Sequence, residues 1–84
     1  MESIEDRIRK MMVERLFLQI KPEEIEIEAS LMENYGVDSV QVAELVVGTE
    51  AEFDISFEDD DFDPTQFETV KQIADLVRSK MDSQ

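Results

Sequence analysis

Gly36-Val37-Asp38-Ser39-Val40-Gln41-Val42-Ala43-Glu44-Leu45-Val46-Val47-Gly48-Thr49-Glu50-Ala51-Glu52-Phe53 is the stretch on which the reading of the fold turns. Gly36 permits a tight turn. Asp38 and Gln41 form a D-x-x-Q capping pattern, which makes Asp38 the N-cap and Ser39 the first helical residue. The apolar residues that follow fill two stripes. Val42, Leu45 or Val46, Thr49 and Phe53 make one; Val40, Ala43, Val47 and Ala51 make the other. A helix apolar on two sides is either central to a core or presents one side to a partner, and in so short a chain the second choice gains weight. Gly48 inside this helix costs about 1 kcal/mol relative to alanine, so it needs a packing or contact reason.

On the N-terminal side, Ile4, Ile8, Met11, Met12, Leu16 and Ile20 repeat at helical spacing and predict a helix over about 4–20, opened by Ser3 and closed by Lys21-Pro22. The methionines read as core filling. Residues 21–38 have scattered apolar residues (Ile25, Ile27, Leu31, Tyr35, Val37) but no sustained period, and read as a long loop pinned to the core. Beyond Phe53, Ile55 and Phe57 alternate with polar residues as in a strand. With no second strand to pair with, this reads as an extended linker whose apolar residues point inward. Asp63-Pro64 starts a short third helix reaching about Phe67. Thr69 and Gln72 cap a last helix carrying Val70, Ile73, Ala74, Val77 and Met81. The expected fold is all-α, a four-helix bundle with one short helix and a long loop between helices one and two, formed by a single domain over residues 1–84.

Charge and composition narrow the function. The chain has 84 residues, 22 acidic and 8 basic, for a net charge of −14. From Pro22 to Val70 there is no Lys or Arg, and 16 of the 22 acids lie there, so the middle carries −16 and the two ends together +2. Such a field excludes nucleic acid and anionic lipid as partners and favours a protein with a basic patch. Cysteine, histidine and tryptophan are absent. Disulfides, zinc binding and acid–base chemistry near neutral pH thereby lose their usual residues, so the chain does not read as an enzyme. Nothing resembles a signal peptide or a membrane span, and the expectation is a cytoplasmic monomer with no membrane insertion.

Ser39 stands at a helix start where the macrodipole and unpaired backbone N–H groups favour an attached phosphate. On this local pattern alone, an ordinary helix-start serine is the better reading. The wider sequence decides between them. Lys21-Pro22-Glu23-Glu24-Ile25, Ala29-Ser30-Leu31, Gly36-Val37-Asp38-Ser39-Val40, Glu44-Leu45-Val46, Glu50-Ala51-Glu52-Phe53-Asp54-Ile55 and Thr69-Val70 follow one another as in the acyl carrier protein family, which the chain resembles over nearly its whole length. The resemblance implies that Ser39 receives 4′-phosphopantetheine from coenzyme A through a phosphopantetheinyl transferase, with Asp38 capping the helix and presenting the serine. The added thiol would then carry acyl groups as thioesters, which accounts for a carrier without cysteine.

The implied partners are that transferase and acyl-processing enzymes with basic docking patches. They would meet a face of Val40, Glu44, Val47, Glu50 and Ala51. Leu45, Val46, Thr49, Phe53, Ile73 and Val77 would line the core. The sequence departs from the family pattern at Asn34-Tyr35, Val40 and Gly48-Thr49, which leaves open a fatty-acid carrier or a dedicated carrier for lipid or polyketide-type synthesis. The alternative function is an unmodified acidic helical adaptor for a basic protein. Asp59, Asp61 and Asp63 have the spacing of a calcium loop, but Pro64 and Val70 stand where it needs Gly and Glu, so no metal site is expected.

Overall fold

The computed structural model describes residues 2–57 and 67–82. Among them are four α-helices and no strand: α1, Ile4–Leu16; α2, Leu31–Tyr35; α3, Ser39–Phe53; and α4, Val70–Asp82, with a 3₁₀ turn at Pro22–Glu24 between α1 and α2. The class is all-α, as the periodicity implied. The calcium-loop spacing and most of the short helix expected near residues 63–67 fall on residues outside those described. The short helix that is described, α2, lies inside the connection read as a loop. Ser30 caps it, accepting from the Glu33 N–H at 3.3 Å, and Gly36 ends it in the left-handed region.

α1 begins at the expected cap, with Ser3 Oγ accepting from the Asp6 N–H at 3.1 Å. It stops at Leu16 rather than reaching Ile20. Phe17 adopts a left-handed conformation (φ 54°), and the N–H groups of Phe17 and Leu18 both turn back to the Val13 carbonyl. Those two bonds satisfy orphan acceptor capacity at the helix end, which closes it without glycine or proline. Leu18 and Ile20 still pack against the core from the loop.

The core is assembled from one face of each long helix plus the loop pins. Ile8, Met11, Met12 and Leu16 of α1 meet Val42, Leu45 and Phe53 of α3 and Val70, Ile73, Ala74 and Val77 of α4, with Ile25, Leu31, Val37 and Ile55 filling between them. Phe57 is half-buried and packs edge-on against buried Phe67, with ring centroids 5.9 Å apart. Among the described residues the one polar side chain in the core is Thr49. It is fully buried and donates to the Leu45 carbonyl at 2.7 Å, so its hydroxyl is satisfied within its own helix.

The loop is stitched to α4 by backbone. The Leu31 N–H donates to the Glu68 carbonyl (2.9 Å), and the Lys71 N–H donates to the Ile27 carbonyl (2.8 Å). Both donors belong to first helical turns, whose amides have no partner within the helix. Two bonds cap α4: Thr69 Oγ1 accepts from the Gln72 N–H, and the Gln72 side chain accepts from the N–H of Glu68, one residue before Thr69.

Several basic residues of the chain ends are folded onto acids. Arg7 donates to both the carboxylate and the backbone carbonyl of Glu52, with its guanidinium 4.5 Å from the Phe53 ring centre. Arg9 pairs with Asp6, and Lys10 with Glu2. Arg78 donates to Glu5 at 2.8 Å, which joins α4 to α1 and holds the Glu5 carboxyl below its ordinary value.

Candidate functional site

The site is built where the loop delivers the chain into α3. Gly36 (φ 68°) reverses direction, and buried Val37 anchors the turn. Asp38 is extended at the N-cap position; its Oδ1 accepts from the Gln41 N–H (2.9 Å), and Gln41 Oε1 accepts from the Asp38 N–H (3.1 Å). The cap is therefore complete without Ser39. Because the Asp38 carboxylate is turned onto the helix amides, the Ser39 hydroxyl stands outside the cap on an exposed residue at the first position of a fifteen-residue helix. Its setting suits a phosphate: the partial positive charge of the helix end lies beside it, and amides of the first turn point the same way. Ser30 differs, since its oxygen is consumed in capping α2.

The two stripes of α3 separate as the spacing implied. Val42, Leu45, Thr49 and Phe53 are buried, as is Gly48. Val40 is 77% and Val47 53% exposed, and Ala43 and Ala51 are exposed beside them. An apolar strip thus runs along the outside of α3 from the residue after Ser39.

The acids along that strip are not equivalent. Glu44 is held by Arg15 of α1, which donates to it at 2.8 Å. Glu50 is half-buried, and its carboxylate accepts from the Phe57 N–H at 2.8 Å, which draws it toward the 54–57 linker. The segment without Lys or Arg therefore does not define a surface without cations, because the fold lays Arg15 against Glu44. Gly48 makes that possible. A Cβ on residue 48 would sit 2.5 Å from Arg15 Cδ, 2.8 Å from Arg15 Nε and 2.7 Å from Met11 Sδ, so the arginine crosses α3 through the space that a side chain would fill. The sequence flagged Gly48 as needing a contact reason; it gave no sign that Arg15 supplies it.

The family model described as the phosphopantetheine attachment site matches residues 6–77, and the chain belongs to that family. It is a carrier domain whose prosthetic group is covalent 4′-phosphopantetheine, and domains of this family carry groups rather than transform them. Acyl-processing enzymes and transferases are the partners of such domains. No helix among the described residues is long and apolar enough to cross a membrane.

Proposed function

We propose that this chain acts as an acyl carrier and that Ser39 is the residue to which a phosphopantetheinyl transferase attaches the arm. The Ser39 oxygen would displace the nucleotide portion of coenzyme A at phosphorus, forming a phosphodiester, with the hydroxyl proton lost and adenosine 3′,5′-bisphosphate leaving. The bound group supplies a thiol on which acyl chains are held as thioesters. The chain's own residues do the rest: Asp38 and Gln41 fix the first turn, Ser39 offers its hydroxyl, and Val40, Glu44, Val47 and Ala51, with Glu50 at the margin, form the docking face. The pathway is fatty-acid synthesis or a specialised lipid or polyketide-type synthesis. The observation that carries the reading is an exposed serine at the first position of α3, next to a cap that is satisfied without it.

The exposed strip on α3 would also serve an unmodified acidic adaptor, which needs no serine chemistry. Incubation with coenzyme A, Mg²⁺ and a broad-specificity transferase, followed by intact mass measurement, separates the two. The carrier gains the mass of one phosphopantetheine, and Ser39→Ala gains none. Modification at Ser30 or Ser56, or none at all, refutes the assignment.

A further inference from the structure

Phe17 is anomalous twice. It holds φ 54°, a left-handed conformation that is uncommon outside glycine and an outlier for a bulky side chain. The comparable position at the end of α3 is taken by Asp54, a residue type that tolerates this conformation. Phe17 is also 82% exposed, so burial does not offset its backbone. Neither the chain reversal nor the core calls for phenylalanine.

Its place in the fold gives it a use. Contacts between α1 and α3 step in opposite senses: Arg7 meets Glu52, Met11 meets the backbone at Gly48, and Arg15 meets Glu44. The helices are therefore antiparallel, and the residue after α1 is carried toward the start of α3, where Ser39 and Val40 stand exposed. Phe17 and Val40 then form apolar ground on two different elements at the end where the arm would be attached.

We propose that Phe17 is an apolar anchor for the enzymes that act at Ser39, which would receive it in an apolar pocket with a basic rim; this rests on the carrier reading. The charge chooses the occupant. A second copy of the chain would bring two bodies of net charge −14 together, whereas an enzyme that acts at Ser39 has to approach this end of the molecule and meets exposed Asp38 there with its basic rim. An exposed aromatic has nearly its whole area left to bury, which is how anchors contribute most to association.

The test uses the full chain, coenzyme A, Mg²⁺ and a broad-specificity phosphopantetheinyl transferase, with initial rates read by mass. Phe17→Gly should lower kcat/KM roughly tenfold through KM, with kcat within about twofold, because the buried ring area is lost. The same substitution should raise the melting temperature by several degrees, because glycine suits the left-handed position. Phe17→Asn, which also tolerates that conformation, should behave alike, and Phe17→Leu should keep most of the rate. Opposite signs for stability and association are what a merely structural residue would not give. If wild type is modified and Phe17→Gly is modified equally well, the anchor is overturned alone. If stability and kcat/KM fall together, Phe17 is a structural residue and the anchor is again overturned. If wild type is not modified, the carrier reading falls and the anchor with it.

Discussion

Gly48→Ala sets two known effects against each other at one atom. In an open helix the change would stabilise by about 1 kcal/mol, the propensity difference between the two residues. Here the added methyl arrives 2.5 Å from Arg15 Cδ and 2.7 Å from Met11 Sδ. Arg15 can leave for solvent, since a third of its side chain is already exposed, and it forfeits an ion pair with Glu44 worth about 0–1 kcal/mol. Met11 is buried and cannot leave, so the core must accept an extra methyl group, at a cost of about 1–3 kcal/mol. The balance is a net loss of about 1 kcal/mol, or about 4–8 °C in melting temperature for a domain this small. Urea unfolding followed by circular dichroism measures it. Repeating the substitution on an Arg15→Ala background should reduce the loss by about 0.5 kcal/mol or more, because the two sites share a contact. If Gly48→Ala stabilises by the full propensity gain and is additive with Arg15→Ala, the close crossing of Arg15 and Met11 over α3 is refuted.

Other outcomes follow from the same geometry. Glu44→Lys should slow transferase modification at low salt, with the deficit shrinking at high salt, while Asp82→Lys, the same charge change at the end of α4, should not; equal slowing by both would assign the effect to net charge. Val47→Asp should weaken docking at every salt concentration, because apolar contacts set dissociation, and rates unchanged by it would remove Val47 from the face. Arg78 lowers the Glu5 pKa, so as pH falls the unfolded chain binds that proton first. The pair's contribution to stability is therefore present above the unfolded value and lost as pH drops through the folded one. Glu5→Gln should then destabilise at about pH 7, with the difference from wild type shrinking as the pH falls through the carboxylate range, and a difference that does not shrink would show that the ion pair is not the cause. Thr49→Val should change stability by less than about 1 kcal/mol, since the hydroxyl bonds only the carbonyl one turn back, whereas Thr49→Leu should cost about 1–3 kcal/mol by overpacking; equilibrium unfolding checks both.

What could be read from the residues depended on how local the determinant was. The α3 cap, its two stripes and the exposed serine were legible because Asp38, Gln41 and a 3.6-residue period act within one helix. α2 is not legible in the same way although Ser30 and Glu33 carry a capping spacing, because five residues are too few to establish a period. Apolar residues continue to Ile20, so periodicity alone carries α1 to that point. The actual stop is a left-handed turn at a phenylalanine, which propensity does not anticipate. The charge segregation was real in sequence but incomplete in space: Arg7 and Arg15 lie far from α3 along the chain and beside Glu52 and Glu44 in the fold. Glu50 likewise gave no sign that its carboxylate would be occupied by the Phe57 amide.

The two backbone hydrogen bonds between the 27–31 segment and the entry of α4 couple parts of the chain in their opening as well as in their shape. The Leu31 amide is protected only while Glu68 is in place, and the Lys71 amide only while Ile27 is. Neither can exchange its hydrogen with solvent unless the loop and α4 separate, so the two amides should exchange at a common rate, as members of one cooperative unit. The segment leading to Ser39 thus has the persistence of a helix that follows it by some thirty residues. A chain emerging during synthesis would hold α1 and α3 before α4 exists, and its loop would lack these bonds until the last helix arrived. Removal of α4 should accordingly loosen the approach to Ser39 as well as the helix's own surroundings.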